Sequence, residues 1–257
     1  MITLKGKKIV EKLRNEIVGN NQLLAIVIVG NNRDDALYTK SIMQRVKDCG
    51  MHVNIICMRE LDNEKIKSLN DNPKIDGIII LNGKSDLIDS KKDLDGMTDD
   101  SIAKVFKGDR TGFAPCTAEA VIEILKGYNI EIEGKHAVIV GRSMTVGRPL
   151  GMLLLRENAT VTIAHSKSEN LKEICKSADI LISCIGKAKV LNKDYIKKGA
   201  VVIDVGMNED ENGQICGDID SEGLNDIAFA YTPVPGGVGP VTSAVLAKHL
   251  SMVKRNK

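Results

Sequence analysis

Short apolar runs alternate with amphipathic segments along most of the chain. In the N-terminal part, apolar runs occupy Leu23–Gly30, residues 51–58 and Ile75–Leu81, and a segment with helical spacing extends from about Leu37 to Cys49. A short apolar run predicts a buried strand, and strands that alternate with helices predict a parallel sheet with both faces covered. This part of the chain is therefore predicted to form an α/β layer.

A polar stretch divides this series from a second one with the same alternation. Residues 82–100 are rich in charged residues and turn formers, which is typical of a linker. Beyond it, an apolar run at His136–Gly141 precedes an amphipathic helix, four more apolar runs follow, and a last helix is predicted over Val241–Lys254. The predicted fold class is α/β with two domains, each a mostly parallel sheet with flanking helices. The predicted divisions are 1–114, 115–235 and a C-terminal helix, 236–257, that packs back on the first domain.

Composition excludes several classes of function. The 36 Lys and Arg nearly balance the 34 Asp and Glu, so charge gives no reason to expect nucleic acid or an acidic membrane as a partner. With no Trp, 3 Phe and 4 Tyr, the chain lacks the rings of a base-stacking surface. We see no signal peptide and no membrane-spanning run. The 6 cysteines show neither a C-x-x-C pair nor metal-ligand spacing, which predicts reduced thiols, no metal site and a cytoplasmic location.

The stretch HAVIVGRSMTVGRPLG is the most informative local pattern. A buried strand is predicted to end at Gly141, and a helix is predicted to begin near Gly147–Pro149. A dinucleotide's pyrophosphate binds at such a turn, over the free N–H groups and the positive dipole end of the helix. Ser143 stands in place of the second glycine of the usual G-x-G-x-x-G pattern. The alternative interpretation is an ordinary turn between a strand and a helix.

The end of the next predicted strand indicates which dinucleotide is bound. NAD sites usually place an acidic residue there to bind the ribose hydroxyls. This chain has His165, Ser166, Lys167 and Ser168 instead, and Arg142 lies in the first turn. Basic and hydroxyl side chains suit a 2′-phosphate, so NADP is predicted and NAD is less favoured. The alternative is that Lys167 and Arg142 are simply solvated.

Six motifs together resemble one family. PCTAEA, GRSMTVGRP, HSKS, VIDVGMN, GDI and TPVPGGVGPVT occur in the order and spacing of the methylenetetrahydrofolate dehydrogenase/cyclohydrolases. The resemblance covers essentially the whole chain and is strongest from Asp93 to Leu246. It implies an N-terminal catalytic, folate-binding domain, a C-terminal Rossmann-like NADP-binding domain, a cleft between them and a homodimer that acts on tetrahydrofolate derivatives.

Carried over by position, the resemblance implies two sets of binding residues. The cofactor contacts it implies are Gly141, Arg142, Ser143, Val146, Gly147, Pro149, His165, Ser166, Cys184, Gly206, Pro233, Gly236 and Gly237. The folate contacts it implies are Tyr38, Asp95, Pro235, Gly236, Gly237 and Thr242. From the residues alone, Thr232–Pro240 is a rigid proline frame whose glycines let backbone N–H groups approach a ligand. The alternative for this segment is a structural loop.

The first domain departs from the family pattern at two positions. That pattern has a Tyr, a Lys four residues later and a Gln at the end of the third strand. Tyr38 matches the Tyr, but Ile42 occupies the Lys position and Leu81 the Gln position, and the segment NGKS follows where the family has an apolar, proline-rich run. Asp95 matches the carboxylate that binds the amino group and ring N–H of the pterin.

These departures lead to three hypotheses. The first is a dehydrogenase with weak or absent cyclohydrolase activity, because hydride transfer needs no general base whereas hydrolysis does. The second keeps both activities, with Lys40 or Arg45 replacing the missing Lys. Arg is a poor proton carrier, and Lys40 lies on another face of the helix than Tyr38. The third is a folate-binding paralogue without catalytic activity, which the intact cofactor motifs argue against.

Overall fold

The computed structural model contains two compact units. Unit A comprises Val10–Cys116 together with the chain from Thr242 onward, and unit B comprises Met1–Ile9 together with Thr117–Val241. The residues that the structure describes are 1–19, 21–30, 33–83 and 86–253, with the side chains of 33–35 left out.

Eleven strands and eight α-helices form the described parts of the two units. In chain order the strands are β1 (Ile2–Thr3), β2 (Leu23–Val29), β3 (His52–Met58), β4 (Gly77–Leu81), β5 (His136–Val140), β6 (Thr160–Ala164), β7 (Ile180–Ser183), β8 (Val201–Asp204), β9 (Asn208–Glu209), β10 (Ile215–Cys216) and β11 (Ala230–Tyr231). The helices are α1 (Gly6–Glu16), α2 (Arg33–Asp48), α3 (Asn63–Asp71), α4 (Asp99–Lys107), α5 (Cys116–Gly127), α6 (Gly147–Arg156), α7 (Leu171–Lys176) and α8 (Val238–Met252).

Unit A is built on a three-stranded parallel sheet in the order β3-β2-β4. The register pairs Ile26 with Ile55 on one side and with Ile79 on the other. β4 is buried at every position, as expected of a strand that reads as a continuous apolar run. The core on one side of this sheet consists of Ala25, Val27, Ile66, Leu69, Ile75, Ile78, Ile80 and Ile88.

Unit B is built on a six-stranded sheet in the order β1-β11-β8-β7-β5-β6, and every pairing in it is parallel. β7 and β8 are buried throughout. A separate antiparallel pair, β9 and β10, follows β8. The predicted fold class, two α/β layers with mostly parallel sheets and flanking helices, is confirmed.

Three features differ from the expectations drawn from the sequence. Met1–Ile9 belongs to unit B and not to the first predicted domain, because β1 pairs with β11 and Leu4 N donates to Tyr231 O at 2.7 Å. α4 lies beside the polar stretch that predicted a linker, and its N-cap is Thr98. α8 begins at Val238, ahead of the predicted start, which leaves Pro240 in the first turn where its missing N–H costs nothing. Among the described residues, no helix is long and apolar enough to cross a membrane.

The N-terminal segment lies in unit B, and its burial there leads to a prediction about the free energy of unfolding. Leu4 is fully buried (0% exposed), whereas Ile2, two residues earlier, is 45% exposed. Leu4→Ala should lower the free energy of unfolding by about 2–5 kcal/mol, because a cavity replaces a buried side chain. Ile2→Ala, the matched control, should cost less than about 1 kcal/mol. Urea unfolding of the two variants measures this difference, and equal losses would contradict the burial of Leu4.

Candidate active site

The turn between β5 and α6 brings two backbone segments unusually close. Gly141 has φ +136°, and a Cβ added there would collide with the backbone and thiol of Cys184. A Cβ on Gly147 would collide with the backbone of Gly141 and Arg142. Both positions therefore require glycine. Close packing between a strand end and a helix start is one of the roles that glycines have in dinucleotide-binding turns, so this turn is compatible with a dinucleotide.

Ser143, which replaces the expected second glycine, caps the N-terminus of α6. Its Oγ accepts hydrogen bonds from Val146 N at 3.1 Å and Gly147 N at 3.4 Å. This side chain supplies the cap that Val146, at the N-cap position, cannot provide. Arg142 and Ser143 are exposed beside the helix N-terminus, while Pro149 is buried in its first turn. The turn can therefore present the positive end of the helix dipole and one exposed guanidinium to an anion, whereas the N–H groups of Val146 and Gly147 already donate to Ser143.

The HSKS segment follows β6, the strand that pairs with β5. The register places Ala164 opposite Val140, so Arg142 and Ser166 each stand two residues beyond a paired position. His165 N donates to Ser168 Oγ at 3.0 Å, and Lys167 N donates to His165 Nδ1 at 3.1 Å. These bonds close the turn and leave the side chains of Ser166 and Lys167 exposed.

Cys184 and Gly206 follow β7 and β8. Cys184 is half-buried, and burial together with the charge of Asp218 raises the pKa of its thiol to about 12. The thiol therefore stays protonated and unreactive at neutral pH. Gly206 lies against Asp218, with no space for a Cβ between them. Both residues belong to the cofactor set implied by the resemblance.

The segment Thr232–Pro240 forms a compact turn before and within the start of α8. The Val234–Pro235 peptide is cis, and Gly236 has φ +102°. The carbonyl of Gly236 accepts from Gly6 N at 2.8 Å. Gly237 is buried, while Pro235 and Gly236 are exposed and Pro233 is half-buried. The exposed tip is the part of this segment that can contact a ligand.

Tyr38 and Asp95 are brought together in unit A. Burial, with smaller contributions from the charges of Asp95 and Cys116, raises the pKa of Tyr38 well above its ordinary value. Burial also raises the pKa of Asp95 to about 6, although contacts with Cys116 oppose the shift. Cys116 N approaches Asp95 Oδ1 at 3.4 Å. At neutral pH the pair therefore offers a neutral phenol and a mostly ionised carboxylate.

Two residues behind Asp95 were not predicted from the sequence as site residues. His249 is 2% exposed; its Nδ1 lies 2.8 Å from Leu94 O and 3.6 Å from Cys116 Sγ, and its ring stacks on Phe113 at 4.4 Å between centroids. Cys116 stands in the PCTAEA motif, which was noted without a role for this residue. His249 carries no local signal, because its contacts are with residues more than 100 positions away in the chain.

The two departures from the family pattern lie in the apolar interior. Ile42, one turn after Tyr38 on α2, is 0% exposed, and Leu81, at the end of β4, is 9% exposed. Lys40 is exposed, and Arg45 Nη1 lies 4.0 Å from Asp48 Oδ2. Of the NGKS segment, Lys84 and Ser85 lie outside the described residues. Thr242, the remaining predicted folate contact, is buried.

The family assignment follows from comparison with known proteins. Residues 3–95 match the catalytic domain, and residues 115–257 the NAD(P)-binding domain, of the family described as tetrahydrofolate dehydrogenase/cyclohydrolase. The chain belongs to this family. The resemblance drawn from the motifs is therefore confirmed, and the C-terminal domain is NAD(P)-binding.

Relatives of the tetrahydrofolate dehydrogenase/cyclohydrolase family match nearly the full chain. A bifunctional protein FolD of Clostridium kluyveri is 41% identical over 280 residues, covering 100% of this chain and 98% of the relative. The bifunctional FolD methylenetetrahydrofolate dehydrogenase/cyclohydrolase of Campylobacter jejuni has a TM-score of 0.90 at 35% identity, covering 98% of this chain and 97% of that chain. The Trypanosoma brucei FolD, complexed with NADP cofactor and an inhibitor, has a TM-score of 0.87 at 29% identity, covering 97% and 95%.

The raised pKa of Asp95 makes a pH prediction. A pKa of about 6 means that the carboxylate is ionised above pH 7 and protonated as the pH falls through 6. If Asp95 binds the pterin as the family resemblance implies, only its ionised form accepts both pterin donors, so kcat/KM for the folate substrate should be flat from about pH 7 to 8 and fall by up to about tenfold per unit below 6.

Initial rates at saturating cofactor measure this profile. The Asp95→Asn variant is the control, because it shares any effect of pH on the substrate itself but lacks the titrating carboxylate. A variant that is slower than the wild type but keeps the same slope below pH 6 would contradict the assignment of the profile to Asp95.

Proposed function

We propose that this chain oxidises 5,10-methylenetetrahydrofolate to 5,10-methenyltetrahydrofolate with NADP as the hydride acceptor, and that its cyclohydrolase activity is weak or absent. The observation that carries the proposal is the fully buried, apolar side chain of Ile42, one helical turn after Tyr38, where the family pattern has a lysine. The turn between β5 and α6, by contrast, keeps glycine at positions 141 and 147, where any side chain would collide with the backbone, which supports dinucleotide binding there.

Hydride transfer makes modest demands on the side chains. The electron pairs of the folate nitrogens can expel the hydride, which leaves a delocalised methenyl cation, so no residue has to remove a proton. A nicotinamide cofactor bound in this domain would supply the hydride acceptor. The protein's contribution is to bind and orient: Asp95 would accept the pterin donors, and the turn at Gly141–Gly147 would receive the pyrophosphate.

Hydrolysis of the methenyl product is more demanding. Water adds to the methenyl carbon, and a proton must reach a ring nitrogen as the C–N bond breaks, which calls for a group that titrates near neutral pH. Ile42 and Leu81 cannot carry protons. Tyr38 has its pKa raised by burial, so it is a poor base, and Asp95 would be engaged with the pterin. With Ile42 at the lysine position, neither Tyr38 nor Asp95 is then available as the acid–base group that hydrolysis needs.

The choice of NADP rests on Arg142 and Ser166. Both side chains are exposed just beyond paired strands, and positions 165–168, where NAD sites usually place an acidic residue, hold His, Ser, Lys and Ser. The relative from Trypanosoma brucei has NADP bound, which agrees with this choice. The cytoplasmic location and the homodimer remain expectations, the first from the composition and the second from the family resemblance.

Full bifunctionality is the second candidate, because the relatives are bifunctional FolD proteins at up to 43% identity over 271 residues. Lys40 would have to supply the missing proton transfer from an exposed position on another face of α2. Arg45 lies beside Asp48, and a guanidinium is a poor proton carrier. Neither residue reproduces a desolvated lysine, so the dehydrogenase proposal is preferred. An inactive folate-binding paralogue has no use for the intact turn at Gly141.

The proposal predicts that the two activities separate in one sample. NADP reduction with methylenetetrahydrofolate should proceed, whereas methenyl hydrolysis above the spontaneous rate should be about 100-fold or more below that of a bifunctional relative, since acid–base groups contribute about 10²–10⁴-fold. The double substitution Ile42→Lys with Leu81→Gln should raise hydrolysis. Val46→Lys with Leu81→Gln is the matched control, because Val46 is as buried as Ile42 and lies one turn further along α2.

Hydrolysis by the wild type at a rate matching its dehydrogenase would refute the loss of cyclohydrolase activity. A chain that binds NADP and folate but never reduces NADP would instead favour the inactive paralogue.

Cofactor choice yields a separate prediction. Arg142→Ala should raise the KM for NADP by about 10–100-fold, the value of a hydrogen bond to a charged group, and leave the KM for NAD nearly unchanged. Arg148→Ala is the control, because Arg148 is also exposed near the start of α6 but has its Nη1 3.0 Å from Met144 Sδ. Parallel changes for NADP and NAD in the Arg142 variant would argue against a 2′-phosphate contact.

A further inference from the structure

Four buried polar side chains lie at the carboxyl edge of the sheet in unit B. Ser183 and Asp218 are 0% exposed, Thr232 is 2% exposed and Asp204 is 5% exposed. Ser183 and Asp204 are paired across β7 and β8, and Thr232 Oγ1 accepts from Asp204 N at 2.7 Å. This is the edge at which open α/β sheets bind their ligands. Buried carboxylates are costly, so their presence here calls for an explanation.

Asp218 ties together the segments that follow two neighbouring strands. Its Oδ2 accepts from Ile185 N at 2.6 Å and from Ser183 Oγ at 2.9 Å. Its Oδ1 accepts from three further donors, each at 3.0 Å: Gly186 N, Lys187 N and Asn208 Nδ2. Five donors saturate the roughly four acceptor sites of a carboxylate. The segment after β7 and the segment after β8 are thus held by one side chain.

Asp204 fixes Asp218 in turn. Its Oδ1 accepts from Asp218 N at 3.0 Å and from Gly206 N at 2.9 Å, and its Oδ2 accepts from Ile219 N at 2.8 Å. A Cβ on Gly206 would collide with Asp218, and one on Gly217 would collide with Asp204. The two glycines therefore let the backbone close around the carboxylates.

Among the described residues, these carboxylates accept hydrogen bonds from backbone N–H groups, a hydroxyl and an amide, and none of these donors is a cationic side chain. Lys189, close in sequence to the Asp218-bound segment, has its Nζ 3.0 Å from Asp210 Oδ2. Two buried negative charges would repel a pyrophosphate, so attraction of the cofactor cannot be their role. Their lone pairs accept mainly from backbone N–H groups, so the role of the two carboxylates is to fix the conformation of the backbone.

We propose that Asp218 is the positioning residue of the cofactor site: its carboxylate holds Ile185–Lys187 and Asn208 so that Cys184 and Gly206 contact the dinucleotide. Asp218 does not itself touch the cofactor. The proposal rests on the proposed function in one respect, that the bound ligand is NADP.

Asp218→Asn tests this role with only one atom changed. The new NH₂ group must face backbone N–H groups that formerly pointed at an oxygen, so the segment is displaced. We expect the Kd for NADP, measured by direct titration, to rise at least about tenfold. The KM for the folate substrate should stay within about twofold, and hydrogen exchange at the amides of Ile185–Lys187 should become faster.

Asp210→Asn is the matched control. Asp210 Oδ1 accepts from Asn212 N and Gln214 N, both at 3.0 Å, in the turn between β9 and β10. The control therefore removes carboxylate–backbone hydrogen bonds, together with the ion pair to Lys189, from a turn that contributes no residue to the predicted cofactor set. Its Kd for NADP should equal that of the wild type even if its stability falls.

Single-donor variants extend the test should the Asp218 variant fail to fold. Ser183→Ala and Asn208→Ala each remove one hydrogen bond to the carboxylate and should raise the Kd by about fivefold. Unchanged NADP binding in the folded variants, or an equal loss in Asp210→Asn, would overturn the positioning role. Failure of the wild type to bind NADP would refute the proposed function instead, so the two failures are distinguishable.

Discussion

The register of the parallel strands in unit B is the constraint on which the cofactor side of the protein depends. Backbone hydrogen bonds set Val140 beside Ser183 and Ser183 beside Asp204, so that β5, β7 and β8 end on one line. The turn after β5 and the segments that begin at Cys184 and Val205 therefore start side by side at one edge of the sheet. A slip of one residue would reverse every side chain and dismantle this edge. The glycine turn and the buried carboxylates are consequences of how closely these segments then approach.

In unit A, the properties of the predicted folate site depend on desolvation of its side chains. Asp95 and Tyr38 share an environment in which burial disfavours both charged forms, yet their ordinary pKa values differ so much that the outcomes differ. The carboxylate remains ionised at neutral pH with its pKa near 6, while the phenol is held protonated. The pair thus combines an acceptor with a donor. The contacts of His249 with Leu94 and Cys116 support the backbone on either side of that carboxylate.

Whether a feature of the fold or of the site could be predicted from the sequence depends on how far apart along the chain its interacting residues lie. The β5–turn–α6 unit is local, so strand pattern, glycines and helix start together predicted it, although not that Ser143 caps the helix. β1 has two residues and its partner strand lies more than 200 positions away. A strand this short shows no hydrophobic periodicity, so the sequence pattern could not predict it. His249 was missed because its contacts are distant along the chain. Asp218 stood in a noted motif, GDI, but its role depends on three segments that only the folded chain brings together.

The departures at Ile42 and Leu81 have a physical rationale under the proposed loss of hydrolysis. A lysine at a position as buried as Ile42 carries a large desolvation cost, which a protein bears only where the neutral amine is used. If hydrolysis is not required, an isoleucine removes that cost and adds apolar burial to the interior of unit A. Hydride transfer loses nothing by the exchange, because it depends on orienting two rings and on the fixed backbone at the edge of the sheet in unit B. Selection for the dehydrogenase alone would therefore preserve Gly141, Gly147 and Asp218 while leaving position 42 free to become apolar.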